Sequence, residues 1–405
     1  MKLFLGLLLL ATSAIAQSSI AGSWQGVATV HDQQVPIRLE ITGNGNNLHA
    51  ALRNGSESSP ASSAVLTGNH LLLTFDYFAK TLDATFTDGR LAGSFGTPVT
   101  RYPIDLRAGG VNDAGVASPA INGDWEIAVK SAKGESAWQL HVEPVGASGA
   151  VRAVIQRIDG DTGSLFGSWT GKNYRVSHFT AAGPALYSLT PQDDGTLWVS
   201  NLLRADQQNL VARRPAQARA AKLVGPTDPA EQTTVKDPAA PFRFSFPDLQ
   251  GKVVSNTDPQ FDGKVVIVAI GGSWCPNCHD EAPFLESLYK QFHGQGLEIV
   301  NLSFEEGDQL KDPARLRAFI ARYGLTYTVL LAGDTDQLSE KVPQAVNLNC
   351  WPTSFFLGRD GRVREVHAGF AGPANPPAHE ALVREVTGLV EQLLAEPVPT
   401  HTALR

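Results

Sequence analysis

Val265-Val266-Ile267-Val268-Ala269-Ile270, followed by Gly271-Gly272-Ser273-Trp274-Cys275-Pro276-Asn277-Cys278, decides how this chain is read. The unbroken apolar run predicts a strand covered on both faces. From Pro276 the pattern changes. Ala282, Leu285, Leu288, Tyr289 and Phe292 recur at helical spacing over 276–293, and proline suits a first helical turn because it has no N–H to lose. Two cysteines separated by two residues therefore stand where a strand gives way to a helix. Unpaired backbone N–H groups and the helix dipole favour an anion at that place. A free cysteine titrates near ~8.5, and C-x-x-C sites lower that to ~3.5–7.5. Cys275 is expected to be the attacking thiolate. Cys278, one turn further in and less exposed, is expected to resolve the mixed disulfide.

Zinc and haem compete with this redox reading. A structural zinc site takes four ligands, and the chain has no second C-x-x-C and no H-x-x-H pair. Cys275 to His279 also spells C-x-x-C-H, a haem-attachment pattern. Against haem, the only methionine is Met1, and a buried strand running into the motif suits an α/β redox domain better. No cofactor and no metal are expected. The third cysteine, Cys350, leaves no room for a disulfide framework.

At 405 residues the chain is long enough for two to three domains. Its net charge of −7 gives no basic face for nucleic acid. Residues 1–16 read as a secretory signal peptide: Lys2, an apolar core from Leu3 to Leu10, and an Ala14-Ile15-Ala16 ending. An uncleaved anchor is the alternative. The expectation is an exported protein, periplasmic or otherwise extracytoplasmic and soluble after cleavage, where disulfides persist.

Residues 20–205 read as all β, with short alternating runs divided by turns such as Asn54-Gly55 and Asp88-Gly89. A weak repeat divides them. Ile20-Ala21-Gly22-Ser23-Trp24 returns as Ile121-Asn122-Gly123-Asp124-Trp125, and Leu66-Thr67-Gly68 as Trp169-Thr170-Gly171. Two β units, 17–107 and 121–205, follow from this, as two barrels or one larger sandwich. Residues 206–241 carry Pro215, Pro226, Pro229, Pro238 and Pro241 and read as a semi-rigid linker with a solvated basic cluster at Arg213, Arg214, Arg219 and Lys222. Residues 242–395 alternate strand and helix, and a frayed tail is expected over 396–405. The fold class is thus a multidomain chain with an all-β N-terminal region and a C-terminal α/β domain.

Four stretches of that C-terminal region resemble the TlpA/ResA-like family of exported thiol–disulfide oxidoreductases, which have the thioredoxin fold. They are Asp262-Gly263-Lys264-Val265-Val266 leading into Trp274-Cys275-Pro276-Asn277-Cys278; Glu281-Ala282-Pro283; the strand and loop Glu298–Glu305; and Trp351-Pro352-Thr353-Ser354-Phe355-Phe356-Leu357 with Asp360-Gly361. The resemblance implies a cis Pro352 beside the cysteines, leaving the backbone of Trp351 free to pair with an extended substrate strand. It implies a buried acid at Glu281 exchanging protons with Cys278; the other reading of Glu281 is a solvated residue helping the dipole. It implies reduction of disulfides on protein substrates, with a membrane protein as electron donor. Thioredoxin's buried aspartate is replaced here by Ala269, and Gly271-Gly272 replace bulkier residues, which is read as easing the turn.

Cys350, two residues before Pro352, is either a further redox thiol or a small buried hydrophobe. Two alternatives to the exchange function remain. One is a peroxiredoxin-type peroxidase with an antioxidant role, although Gly272 stands where that pattern wants Thr or Ser. The other is a binding protein whose β region engages a partner while the C-terminal domain serves as scaffold.

Overall fold

A computed structural model describes residues 20–109, 118–146 and 149–398. The leader read at 1–16 lies outside these residues, as does the tail from 399. Among the described residues the first β unit is one antiparallel sheet built from β1 (Gly22–Val30), β2 (Gln33–Asn44), β3 (Asn47–Asn54), β4 (Glu57–Pro60), β5 (Ser63–Thr67), β6 (His70–Phe75), β7 (Lys80–Thr87), β8 (Arg90–Gly96) and β9 (Arg101–Ala108). Their order is β4-β3-β2-β1-β9-β8-β7-β6-β5.

The second unit comprises β10 (Gly123–Ala128), β11 (Ala137–Val145), β12 (Ala150–Arg157), β13 (Gly160–Asp161), β14 (Leu165–Trp169), β15 (Tyr174–Thr180), β16 (Gly183–Pro191), β17 (Leu197–Asn201) and β18 (Leu210–Arg213). It repeats the strand order of the first unit. Here β12 also pairs with β14, and β11 with β12, so β10, β11, β12 and β14 to β18 form a closed barrel. Closure removes the free edges that a sheet otherwise exposes. In the first unit β3 approaches β5 without such a ladder. The repeat is exact at one hydrogen bond: Trp24 Nε1 donates to Ile20 O at 2.8 Å, and Trp125 Nε1 to Ile121 O at 2.9 Å.

The stretch read as a linker is built piece by piece. Its first strand, β18, belongs to the barrel, pairing with β10 and β17. The helix α1 (Pro215–Ala220) follows, and its basic cluster is docked, with the Arg214 guanidinium 3.7 Å from the Trp125 ring centroid and Arg219 paired to Glu126. After α2 (Pro229–Gln232) comes β19 (Thr234–Val235), which pairs far ahead with β25 (Ala345–Val346). These pieces are too short to show an apolar period.

The C-terminal domain contains β20 (Ser245–Pro247), β21 (Val253–Ser255), β22 (Val265–Gly271), α3 (Pro276–Phe292), β23 (Leu297–Glu305), α4 (Ala314–Tyr323), β24 (Thr328–Asp334), α5 (Leu338–Lys341), β26 (Thr353–Leu357), β27 (Val363–Ala368) and α6 (Pro376–Leu394). The central sheet runs β24-β23-β22-β26-β27, with β22, β23 and β24 parallel and β26 and β27 antiparallel. Every residue of β22 and β23 is buried. Val265, Ile267 and Ala269 face α3 and α6, whereas Val266, Val268 and Ile270 face the β20–β21 hairpin side. This is the thioredoxin-like arrangement, with the central strand aimed at the N-terminus of α3. Glu396, read as the start of a frayed tail, is held by Arg364 at 3.2 Å. No described helix is long and apolar enough to cross a membrane.

Candidate active site

Gly271 and Gly272 carry the chain from β22 into α3. A Cβ on Gly272 would lie 2.4 Å from Trp274 Nε1 and 2.5 Å from Phe304 O, so the position takes glycine because Trp274 closes over it. Trp274 Nε1 donates to Phe304 O at 3.0 Å, locking the loop to β23. A buried network holds the next residue. Ser273 N and Oγ both donate to Glu305 at 2.7 Å, and Arg315 Nε donates to Ser273 Oγ at 2.9 Å. Arg315 also pairs with Glu305 at 2.9 Å; their side chains are 8% and 0% exposed.

Cys275 caps α3. The Cys278 N–H donates to Cys275 Sγ at 3.3 Å, and Pro276 occupies the first turn. The Cys275 thiol in turn lies 3.6 Å from Trp351 O. The Trp351–Pro352 peptide is cis. Both cysteines are buried, at 3% and 4%, and of the two it is Cys275 that stands in the wall of the adjoining cavity. Burial, with the charges of Cys275 and Glu281 adding to it, pushes the Cys278 thiol well above its ordinary value. Glu281 is buried rather than solvated. Ser354 Oγ donates to its Oε1 at 2.9 Å, and burial raises its carboxyl to about 8.

The β region lies against the residues around Cys275. The turn between β12 and β13 reaches the motif, and Asp159 O accepts from Asn277 Nδ2 at 3.1 Å and from Phe370 N at 3.1 Å. Asp159 Oδ1 accepts from Trp351 N at 3.3 Å and is paired with Lys133. The backbone of Trp351 is therefore not free: its N–H goes to Asp159 and its carbonyl faces Cys275. From the first unit, Phe78 stacks on His279 with ring centroids 4.0 Å apart. A cavity of about 930 Å³ remains among the three units, and Trp274, Cys275, Asn277 and Trp351 form part of its wall.

Residues 235–366 match the model of the AhpC/TSA family. Over the same region, "Thiol-disulfide oxidoreductase ResA" of Bacillus subtilis (strain 168) is 32% identical across 126 residues, 31% of this chain and 64% of that protein. The ResA of Bacillus anthracis is 30% identical across 122 residues, 30% of this chain and 64% of that protein. The C-terminal domain is ResA-like. The chain spans less than two thirds of the length of these two relatives, and the match does not extend into the β region. Among solved structures, a thiol:disulfide interchange protein of the thioredoxin family from Chlorobium tepidum TLS aligns at a TM-score of 0.30 and 22% identity, covering 39% of this chain and 99% of its own. StoA from Bacillus subtilis aligns at 0.27 and 21%, covering 36% and 98%.

The ResA-like domain brings Trp274, Cys275, Pro276, Cys278, Glu281, Trp351 and Pro352 together at one end of its sheet. Cys350 is different. It is fully buried against Ile158 and Ala368, its thiol meets Asn349 Oδ1 at 3.3 Å, and burial pushes it up to about 12. That is the small-hydrophobe reading. The C-x-x-C-H spelling is also explained locally. His279 Nε2 donates to Ser273 O at 2.8 Å, and Nδ1 accepts from Tyr323 Oη at 3.0 Å, leaving neither ring nitrogen open to an iron. Burial lowers that imidazole to about 3. Sequence reasoning missed Asp159, Asn277 and the Ser273–Glu305–Arg315 network. A strand-end acid at Glu305 and a helix-start arginine at Arg315 were the available signals for the network. Asp159 offered none beyond a turn-favouring Asp-Gly.

Proposed function

We propose that the protein is an exported thiol–disulfide oxidoreductase that reduces substrate disulfides through a Cys275/Cys278 dithiol. One observation carries this reading: Cys275 Sγ receives the Cys278 N–H at the head of α3, with a buried carboxyl at Glu281 one turn behind. A thiolate at Cys275 attacks one sulfur of the substrate. The Cys275–substrate bond forms, the substrate's own S–S bond breaks, and one substrate thiolate leaves and takes up a proton. Cys278 then loses its proton, which the Glu281 carboxyl relays by giving up its own proton and taking this one, and the Cys278 thiolate attacks Cys275 Sγ. The second substrate thiolate departs, and two electrons have passed from the protein to the substrate. A membrane electron donor returns the Cys275–Cys278 disulfide to the dithiol. Trp274, Pro276, Trp351 and Pro352 shape the site around these sulfurs.

The ResA relatives, named as thiol-disulfide oxidoreductases, support exchange chemistry. The peroxidase alternative is disfavoured by Gly272, whose surroundings exclude the Thr or Ser side chain it needs. The scaffold alternative is disfavoured because the β region lies on the cysteine motif itself.

The test uses the reduced protein with bis(hydroxyethyl) disulfide. The wild type becomes oxidised with loss of two thiols, Cys275→Ser does not react, and Cys278→Ser stops at a mixed disulfide visible by mass spectrometry. A wild type that transfers no electrons to the disulfide sinks the reading.

A further inference from the structure

Arg157, Asp161 and His178 line a single cavity, and Arg157 Nε and His178 Nδ1 are buried without a hydrogen-bond partner among the described residues. Native proteins leave few such groups, and charged side chains gathered around one space point to the chemistry it can hold. All three come from the second β unit, and Cys275 stands in the same wall.

The cluster has two poles. Arg157 supplies a guanidinium, placed 5.8 Å from the Trp138 ring centroid. Asp161, 4% exposed, shares a crowded corner with Asp280: a Cβ on Gly372 would meet Asp280 Oδ2 at 2.8 Å and Asp161 Oδ2 at 3.1 Å. Two carboxyls facing one position disfavour each other's charge, and a cation between them would relieve it. Burial raises both, Asp280 to about 8, with the other's charge adding to the shift in Asp280.

Size and access point the same way. At about 930 Å³ the cavity falls in the range of small-ligand sites, roughly 300–1,000 Å³. An extended protein strand would need the Trp351 N–H beside Cys275, and Asp159 Oδ1 holds it. Gly160 also bridges Phe370 in parallel fashion, so the barrel's own turn lies where such a strand would run.

We propose that this cavity binds a small amino-acid-type disulfide, its carboxylate on Arg157 and its ammonium on the Asp161–Asp280 corner, and delivers its sulfur to Cys275. The proposal rests on the dithiol reading above and names its substrate class. The bound disulfide is cleaved to two thiols as the Cys275–Cys278 dithiol is oxidised to the disulfide.

The experiment is single-turnover oxidation of the reduced full-length protein by cystine, with bis(hydroxyethyl) disulfide and insulin as comparison disulfides. The expected result is a cystine rate that saturates with concentration. The cystine rate also exceeds that of bis(hydroxyethyl) disulfide, and this ratio falls at least tenfold in Arg157→Gln and in Asp161→Asn. Rates linear in cystine, a ratio unmoved by both variants, or insulin reduced faster than cystine per disulfide overturn the proposal. Cystine is also titrated by calorimetry into the Cys275→Ser/Cys278→Ser protein, which cannot exchange. Saturable binding there upholds the site even if the dithiol reading fails for every disulfide, and no binding overturns it.

Discussion

Ser354 Oγ donates to Glu281 Oε1 at 2.9 Å, tying the strand after Pro352 to the helix that carries both cysteines. The carboxyl that receives this bond sits in a site where burial lifts it from 4.5 to about 8. Between those values the folded protein keeps a proton that the unfolded chain has released. This contribution to stability is complete below the ordinary value and is lost as pH rises through about 8. Glu281→Gln should therefore flatten the decline and be the more stable protein above about pH 8 in thermal melts across pH. It should also slow resolution of the mixed disulfide by about 100-fold, the scale of a lost proton-transfer group. Identical pH profiles for the two proteins would show that Glu281 is a spectator.

Arg315 and Glu305 form a buried pair that also holds Ser273 in place. Removing one partner strands the other charge. Arg315→Met should cost about 3–5 kcal/mol in urea unfolding, and a loss below about 1 kcal/mol would mean that water reaches Glu305.

Asp159 occupies the Trp351 N–H. Asp159→Ala frees that donor at the cost of a charge-assisted bond of about 1.5–3 kcal/mol. Insulin reduction should then rise by about tenfold or more, by that same energy. An unchanged insulin rate would show that the turn does not obstruct a protein strand.

Phe78 covers His279, whose imidazole burial holds at about 3. Phe78→Ala admits water to the ring, so its NMR titration should move up toward 6.5. A midpoint that stays near its wild-type value would show that the first β unit is not what shields it.

Cys350 is packed against Ile158 and Ala368. Cys350→Ala should leave both the reduction potential and the loss of two thiols per oxidation unchanged. A shifted potential would bring the third cysteine into the chemistry.

The parts of the site that were legible in the sequence lie close along the chain. The strand, the glycine turn, both cysteines and Glu281 fall between Val265 and Glu281, where period and spacing carry meaning. Pro352 is distant, yet its motif is distinctive. The contacts of Asp159 with Trp351 and Asn277 span 192 and 118 residues. A turn residue leaves no period, and nothing in its neighbourhood names a partner. The docking of the β region beside Cys275 was unreadable for the same reason. In the β region, alternation showed strands and the tryptophan repeat showed two units. Whether each closes depends on one ladder, β12 with β14, that the first copy lacks.

The β12–β13 turn at Ile158 and Asp159 has a counterpart in the first unit, the β3–β4 turn at Gly55 and Ser56. One reaches the redox motif, while next to the other Asn54 donates to Ser164 O of the sister unit. Two equivalent hairpin tips in a repeated strand order therefore make different contacts. One bonds to the sister unit, and the other bonds to the cysteine-bearing domain. Access to the cysteines in such a chain is thus open to alteration from a hairpin more than 100 residues upstream, without touching the domain that carries them.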